Sequence, residues 1–104
     1  MADCAAAADG VAAVAAGADL VASTLCGYTK ETEEVSLPAL ELVSALRALK
    51  TFVICEGGIH SPQQASAAVE AGADAVVVGT AITDTGWLVR RFVRSLAPQT
   101  SWPL

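Results

Sequence analysis

Histidine occurs once in this sequence, at His60, and no cysteine or carboxylate cluster surrounds it. A metal centre built on imidazole or thiolate ligands therefore has no ligand set, and no metal or other cofactor is expected. Basic residues are also scarce. Six Lys and Arg against eleven Asp and Glu leave a formal charge of -5, which argues against nucleic acid or an anionic membrane as a partner. No run approaches the roughly 18 consecutive apolar residues of a membrane span, and no charged leader precedes an apolar block. The three cysteines, Cys4, Cys26 and Cys55, are odd in number and lack C-x-x-C spacing, so a disulfide framework is not expected. A reducing cytoplasm is the simplest setting. Cys55 lies inside an apolar run and reads as a small buried hydrophobe. Aromatic residues make up only 5% of the chain, too few for a stacking platform; Trp87 reads as a packing residue and Trp102 as part of a tail.

What is present is alanine and short aliphatic runs. With 54% hydrophobic and 16% charged residues, the 104-residue chain has the composition of one small ordered domain. Its clearest internal feature is a repeat. Ala16-Gly17-Ala18-Asp19-Leu20-Val21 recurs as Ala71-Gly72-Ala73-Asp74-Ala75-Val76, each copy between an alanine-rich stretch and an apolar run. The glycine suits the left-handed residue that ends a helix, and the aspartate marks the turn into a strand. Apolar runs at Leu20 to Thr24, Thr51 to Cys55 and Ala75 to Val78 do not alternate with polar residues, as expected of parallel strands buried on both faces. Helices are expected over about Asp9 to Ala16, from Ser36-Leu37-Pro38 through Leu42, Leu46 and Leu49, from Ser61-Pro62 onward, and over about Thr85 to Leu96. Ser61-Pro62-Gln63-Gln64 offers a capping hydroxyl, proline at the first position and glutamine at the third. Arg90, Arg91 and Arg94 read as the solvated, cationic end of the last helix.

Strand and helix in alternation imply right-handed βαβ units on a parallel sheet. An open doubly wound sheet usually carries a glycine fingerprint after its first strand, and none is present. A (β/α)8 TIM barrel needs about 30 residues per unit, so the chain supplies about four units, or half a barrel, over residues 1–97 with a tail at 98–104. In such a barrel the working residues stand at the C-terminal strand ends. Glu56 follows one strand and is placed for proton transfer, with a structural ion pair as the plainer alternative. Gly57, Gly58, Gly79 and Thr80 follow consecutive strands, where glycine lets backbone N–H groups approach an anion; tight turns are the alternative. Asp3 has a similar strand-end position. Tyr28 shapes a substrate pocket or covers the barrel top. His60 reads as a loop histidine before a helix cap more readily than as a catalytic group.

Five segments carry a resemblance: Met1-Ala2-Asp3, Gly17 to Val21, Ser23 to Thr29, Cys55 to Ile59, and Ala73 to Ile82. Together they resemble the bacterial N-acetylmannosamine-6-phosphate 2-epimerases, in consistent order from residue 1 to about 97, and would form the C-terminal half of that barrel. The resemblance implies inversion at C2 of an N-acylhexosamine 6-phosphate in amino-sugar and sialic acid catabolism, without a redox cofactor or metal. It implies Glu56 as one of two proton-transfer groups, the other being a lysine of an early strand outside these residues; neither Lys30 nor Lys50 replaces it. It implies Asp3, Tyr28 and Thr29 near the sugar, and Gly57, Gly58, Gly79 and Thr80 around the phosphate. Two positions depart from the family pattern. Gly58 and Asp84 stand where the family often has basic residues, and losing both is expected to weaken phosphate binding. Other phosphate-binding barrels of the thiazole synthase kind share the glycine strand ends but not the Gly27-Tyr28-Thr29 loop. A half-barrel is further expected to leave inward side chains such as Val53 and Val77 uncovered, and so to pair with a second copy or with the other half-barrel. As a non-catalytic self-associating half-barrel it would lack turnover.

Overall fold

The computed structural model of the chain describes residues 1–96; residue 97 and the expected tail at 98–104, with Trp102, lie outside the described residues. Strand β1 (Ala2–Asp3) leads to helix α1 (Ala7–Ala15), and β2 (Leu20–Ala22) to α2 (Leu40–Arg47). Strand β3 (Phe52–Glu56) is followed by α3 (Pro62–Glu70), and β4 (Ala75–Val77) by a single turn α4 (Thr80–Thr83) and then α5 (Thr85–Leu96). The four strands form one parallel sheet in the order β1-β2-β3-β4. Among the described residues no helix is long and apolar enough to cross a membrane.

The repeated segments do the same work twice. Gly17 and Gly72 end α1 and α3 with φ of 98° and 119°, and the chain then turns into a strand. In the second copy Asp74 Oδ2 accepts from the Val53 N–H at 2.9 Å while Oδ1 pairs with Arg47 at 3.1 Å, fastening the start of β4 to β3 and α2.

Register fixes which side chains share a face. Leu20, Phe52 and Ala22, Ile54 pair across β2 and β3; Ile54, Ala75 and Glu56, Val77 pair across β3 and β4. Val53 and Val77 therefore stand on opposite faces, because a strand alternates its side chains with period two. Val53 is completely buried, packed with Val21, Cys55, Val43 and Leu46 under the helices. Val53 was expected to point inward with Val77, and it does not. The face away from the helices is formed by Phe52, Ile54, Glu56 and Val77, with Phe52 and Val77 each 44% exposed.

Helix α2 begins at Leu40, not at the expected Ser36-Leu37-Pro38. A residue before proline disfavours the helical region, and the Leu37 side chain is used elsewhere, against Gly27 and Gly58. The buried stripe of α2 is Val43 and Leu46, flanked by half-buried Leu42 and, beyond the helix end, Leu49. Helix α3 starts as its sequence requires: Ser61 Oγ accepts from the Gln64 N–H at 3.2 Å with Pro62 at the first position. Gln64 returns its Oε1 to the N–H of His60 instead of the cap residue.

Candidate active site

Strand β3 delivers Glu56 half-buried to the C-terminal end of the sheet, on the face without helices. There the backbone changes hand. Gly57 and Gly58 have φ of 104° and 74°, a consecutive left-handed pair that only glycine adopts without strain. The turn lies against a cavity of about 120 Å³ lined by Tyr28, Glu56, Gly57, Gly58, Ile59, His60, Gly79 and Thr80. That volume is on the order of four waters at ~30 Å³ each, enough for a phosphate-sized group.

Glu56, Tyr28 and the four expected phosphate residues thus come together. Asp3 and Thr29 do not join them. They line a neighbouring cavity of about 500 Å³ with Asp9, Leu25, Glu31 and Thr32. Asp3 Oδ1 accepts from the Thr24 hydroxyl at 2.7 Å, and the Thr29 and Thr32 hydroxyls share a hydrogen bond of 2.6 Å. Lys50 precedes β3 and lines a cavity at the opposite end of the sheet with Arg47 and Asp74, while Lys30 is exposed.

Both departures from the family pattern have local accounts. A Cβ at Gly58 would run into the Cβ of Leu37, with Leu37 backbone atoms at 3.2 and 3.3 Å, so a longer residue requires this loop to move. Asp84 caps α5: its Oδ1 accepts from Trp87 N–H at 2.9 Å and its carbonyl from Leu88 N–H at 3.0 Å.

Sequence reasoning missed two residues that organise the site. The Ser23 hydroxyl, completely buried, bonds both main-chain groups of Glu56: it accepts from the N–H at 3.1 Å and donates to the carbonyl at 3.0 Å. The only signal was a lone hydroxyl closing the run Leu20-Val21-Ala22. Arg91 was read as part of a solvated cationic face, yet its guanidinium donates to the His60 carbonyl at 2.7 Å and lies 5.4 Å from the Trp87 ring centroid. His60 packs against the same ring at 4.9 Å, so the glycine loop is tied to α5. His60 is exposed in the loop before Ser61 and lines the cavity with Glu56. The cysteines are buried and unpaired, and desolvation raises all three thiols above their ordinary value.

A family model described as "Putative N-acetylmannosamine-6-phosphate epimerase" matches residues 1–98. The chain belongs to this family. A Cutibacterium acnes protein bearing the corresponding 2-epimerase name is 50% identical over 96 residues, which are 84% of this chain and 41% of that protein. A "Bifunctional enzyme NanE/NanK" of Brucella melitensis is 48% identical over 105 residues, 97% of this chain and 20% of the relative. The solved N-acetylmannosamine-6-phosphate 2-epimerase of Clostridium perfringens superposes with a TM-score of 0.83 at 36% identity, covering 90% of this chain and 42% of that one. The parallel sheet and its helices are accordingly part of a TIM barrel. The chain spans less than half the length of these relatives.

Proposed function

We propose that these residues form the C-terminal half of an N-acylhexosamine-6-phosphate 2-epimerase and that Glu56 moves the C2 proton. In the open-chain sugar the C2–H bond lies beside the C1 aldehyde, so removing the proton leaves an enolate spread over C2, C1 and the carbonyl oxygen. Returning a proton to the other face of C2 inverts the centre with no change of oxidation state. Glu56 serves one face. A second group serves the other, and neither Lys30 nor Lys50 is placed for it. The observation that carries this reading is the cavity that joins Glu56 and Tyr28 to Gly57, Gly58, Gly79 and Thr80. Backbone N–H groups after two strands hold the phosphate, Tyr28 borders the sugar, and Asp3 and Thr29 bind its far end from the adjoining cavity. The test is solvent deuterium incorporation at C2. In protein that turns over, Glu56→Gln keeps the shape and removes the proton carrier, so exchange should fall roughly 10²-fold or more. Undiminished exchange overturns the assignment.

We further propose that the open face of the sheet is covered in the working protein, by the remaining half-barrel or by a second copy closing an eight-stranded ring. Phe52 and Val77 are large, apolar and nearly half exposed there, and β1 and β4 are unpaired edges among the described strands. Two copies of this chain would carry two Glu56 side chains and no strand-end lysine, so association without turnover is expected. Sedimentation of the 104-residue chain and an epimerase assay check both parts; a monomer, or turnover, refutes the corresponding part. Three free buried thiols fit a reducing cytoplasm as the setting.

A further inference from the structure

We infer that Ser23 is the positioning residue for Glu56, holding the proton-transfer carboxylate at its place on the sheet through the main chain. The inference rests on the reading of Glu56 given above. In a parallel ladder the Ser23 N–H donates to the Ile54 carbonyl, as it does here at 3.1 Å, and the next rung would run from the Glu56 N–H to the Ser23 carbonyl. That carbonyl is turned away to accept from the Cys26 N–H at 3.2 Å, the bend that ends β2 and begins the loop carrying Tyr28 and Thr29. The Ser23 hydroxyl takes over the rung. It accepts from the Glu56 N–H at 3.1 Å and donates to the Glu56 carbonyl at 3.0 Å, so one oxygen fastens both peptide groups that flank the Glu56 Cα.

The placement matters because the next two residues are glycines with left-handed φ, where the chain leaves the path of the strand. Without the hydroxyl, the end of β3 would be held at Glu56 from the β4 side alone, through its pairing with Val77, and the carboxylate would be less firmly placed. Burial makes the tether effective. Ser23 has no exposed surface, so water does not compete for the two bonds, and removing the oxygen leaves a buried donor and acceptor without partners. The same hydroxyl thus lets β2 turn into the substrate loop and holds β3 straight to its last residue.

The test compares Ser23→Ala, which removes only the oxygen, with Ser23→Thr, which restores it. On the 104-residue chain, amide hydrogen exchange read by NMR should quicken at Glu56 by roughly tenfold or more in Ser23→Ala, with Val53 little changed, and return in Ser23→Thr. In protein that turns over, Ser23→Ala should lower kcat roughly tenfold with KM for the sugar phosphate little changed, because the phosphate contacts remain while the carboxylate wanders. Should the added methyl of Ser23→Thr not fit, Ser23→Cys, with a weaker donor and acceptor, should fall between wild type and alanine. Unchanged Glu56 exchange in Ser23→Ala, or a uniform loss of protection across β3, overturns the inference. So does wild-type kcat in Ser23→Ala alongside an inactive Glu56→Gln, which leaves the reading of Glu56 standing. A fully active Glu56→Gln removes that reading instead, whatever Ser23 does.

Discussion

The two faces of this sheet are made from the same short strands and have opposite fates. On the helix side, Val21, Val53, Cys55, Val43 and Leu46 have no exposed surface and form one cluster. On the other side, two rows away at most, Phe52 and Val77 remain 44% exposed and Glu56 stands at the strand end. Alternation along β3 accounts for the split, since odd positions enter the core and even positions leave it. One face is built for cohesion, and the other leaves room for a ligand and for the rest of a barrel.

The strongest way to break the comparison is to cut each face by a similar volume. Leu46→Ala empties a closed site beneath the sheet and should cost about 3 kcal/mol, within the range for buried leucine truncations. Phe52→Ala, below the concentration at which chains pair, should cost under ~1 kcal/mol because its ring is partly hydrated already. Urea unfolding of the two variants gives the difference directly. Equal losses would mean that the open face contributes to the core as much as the helix face does.

The glycine loops sharpen the contrast at the site itself. Gly58 is demanded by the fold: its φ is 74° and Leu37 occupies the space of a Cβ. Gly58→Ala should therefore destabilise by about 2 kcal/mol. Gly79 has nothing within 4 Å of an added Cβ, so space does not demand a glycine there, although its φ of -108° and ψ of -87° lie outside the regions that other residues prefer. If a bound phosphate adds to the demand, Gly79→Val should cost about 1 kcal/mol of stability through its backbone and also raise KM for the phosphorylated sugar roughly tenfold, about 1.4 kcal/mol of lost binding. A Gly79→Val variant with normal KM moves the anion site elsewhere.

Alternation of runs and alanine-rich helices made the parallel sheet legible in the sequence, because buried parallel strands and capped helices depend on local pattern. The cap at Ser61, the limits of α5 and the left-handed glycines of the repeat all follow from neighbours a few residues away. Facing was harder: in a continuous apolar run nothing local tells Val53 from Phe52, and only pairing with Glu56 and Val77 across the sheet does. The cavity drew in Glu56 and the glycines because they lie at or just past strand ends, and Tyr28 because the loop after β2 returns to the same end. Ser23 and Arg91 escaped because their roles depend on partners 33 and 31 positions away. Asp3 and Thr29 share an end of the sheet with Glu56, but a strand-end position does not say which cavity a side chain enters.

The smallest expected effect concerns the buried face alone. Cys4 and Cys55 have no exposed surface, and desolvation is the largest cause of their raised thiol pKa values; at Cys55 the nearby Ser23 hydroxyl opposes it, and at Cys4 the Ala22 backbone does. The fold thus favours the neutral thiol over the thiolate. An acid held neutral in this way contributes stability that is whole below its unfolded pKa and drains away as pH rises through the folded one. The ordinary thiol value is 9.0, so the loss begins at about pH 9. The difference between wild type and Cys55→Ala is the useful quantity, because it removes whatever the two proteins share. Urea midpoints taken from pH 7 to pH 10 should fall less steeply above pH 9 in Cys55→Ala, by under ~1 kcal/mol at pH 10, after the constant cost of the missing sulfur is subtracted. Parallel curves would mean that Cys55 is hydrated in the native state, and the division between a sealed face and an open one would fail at the strand that carries Glu56.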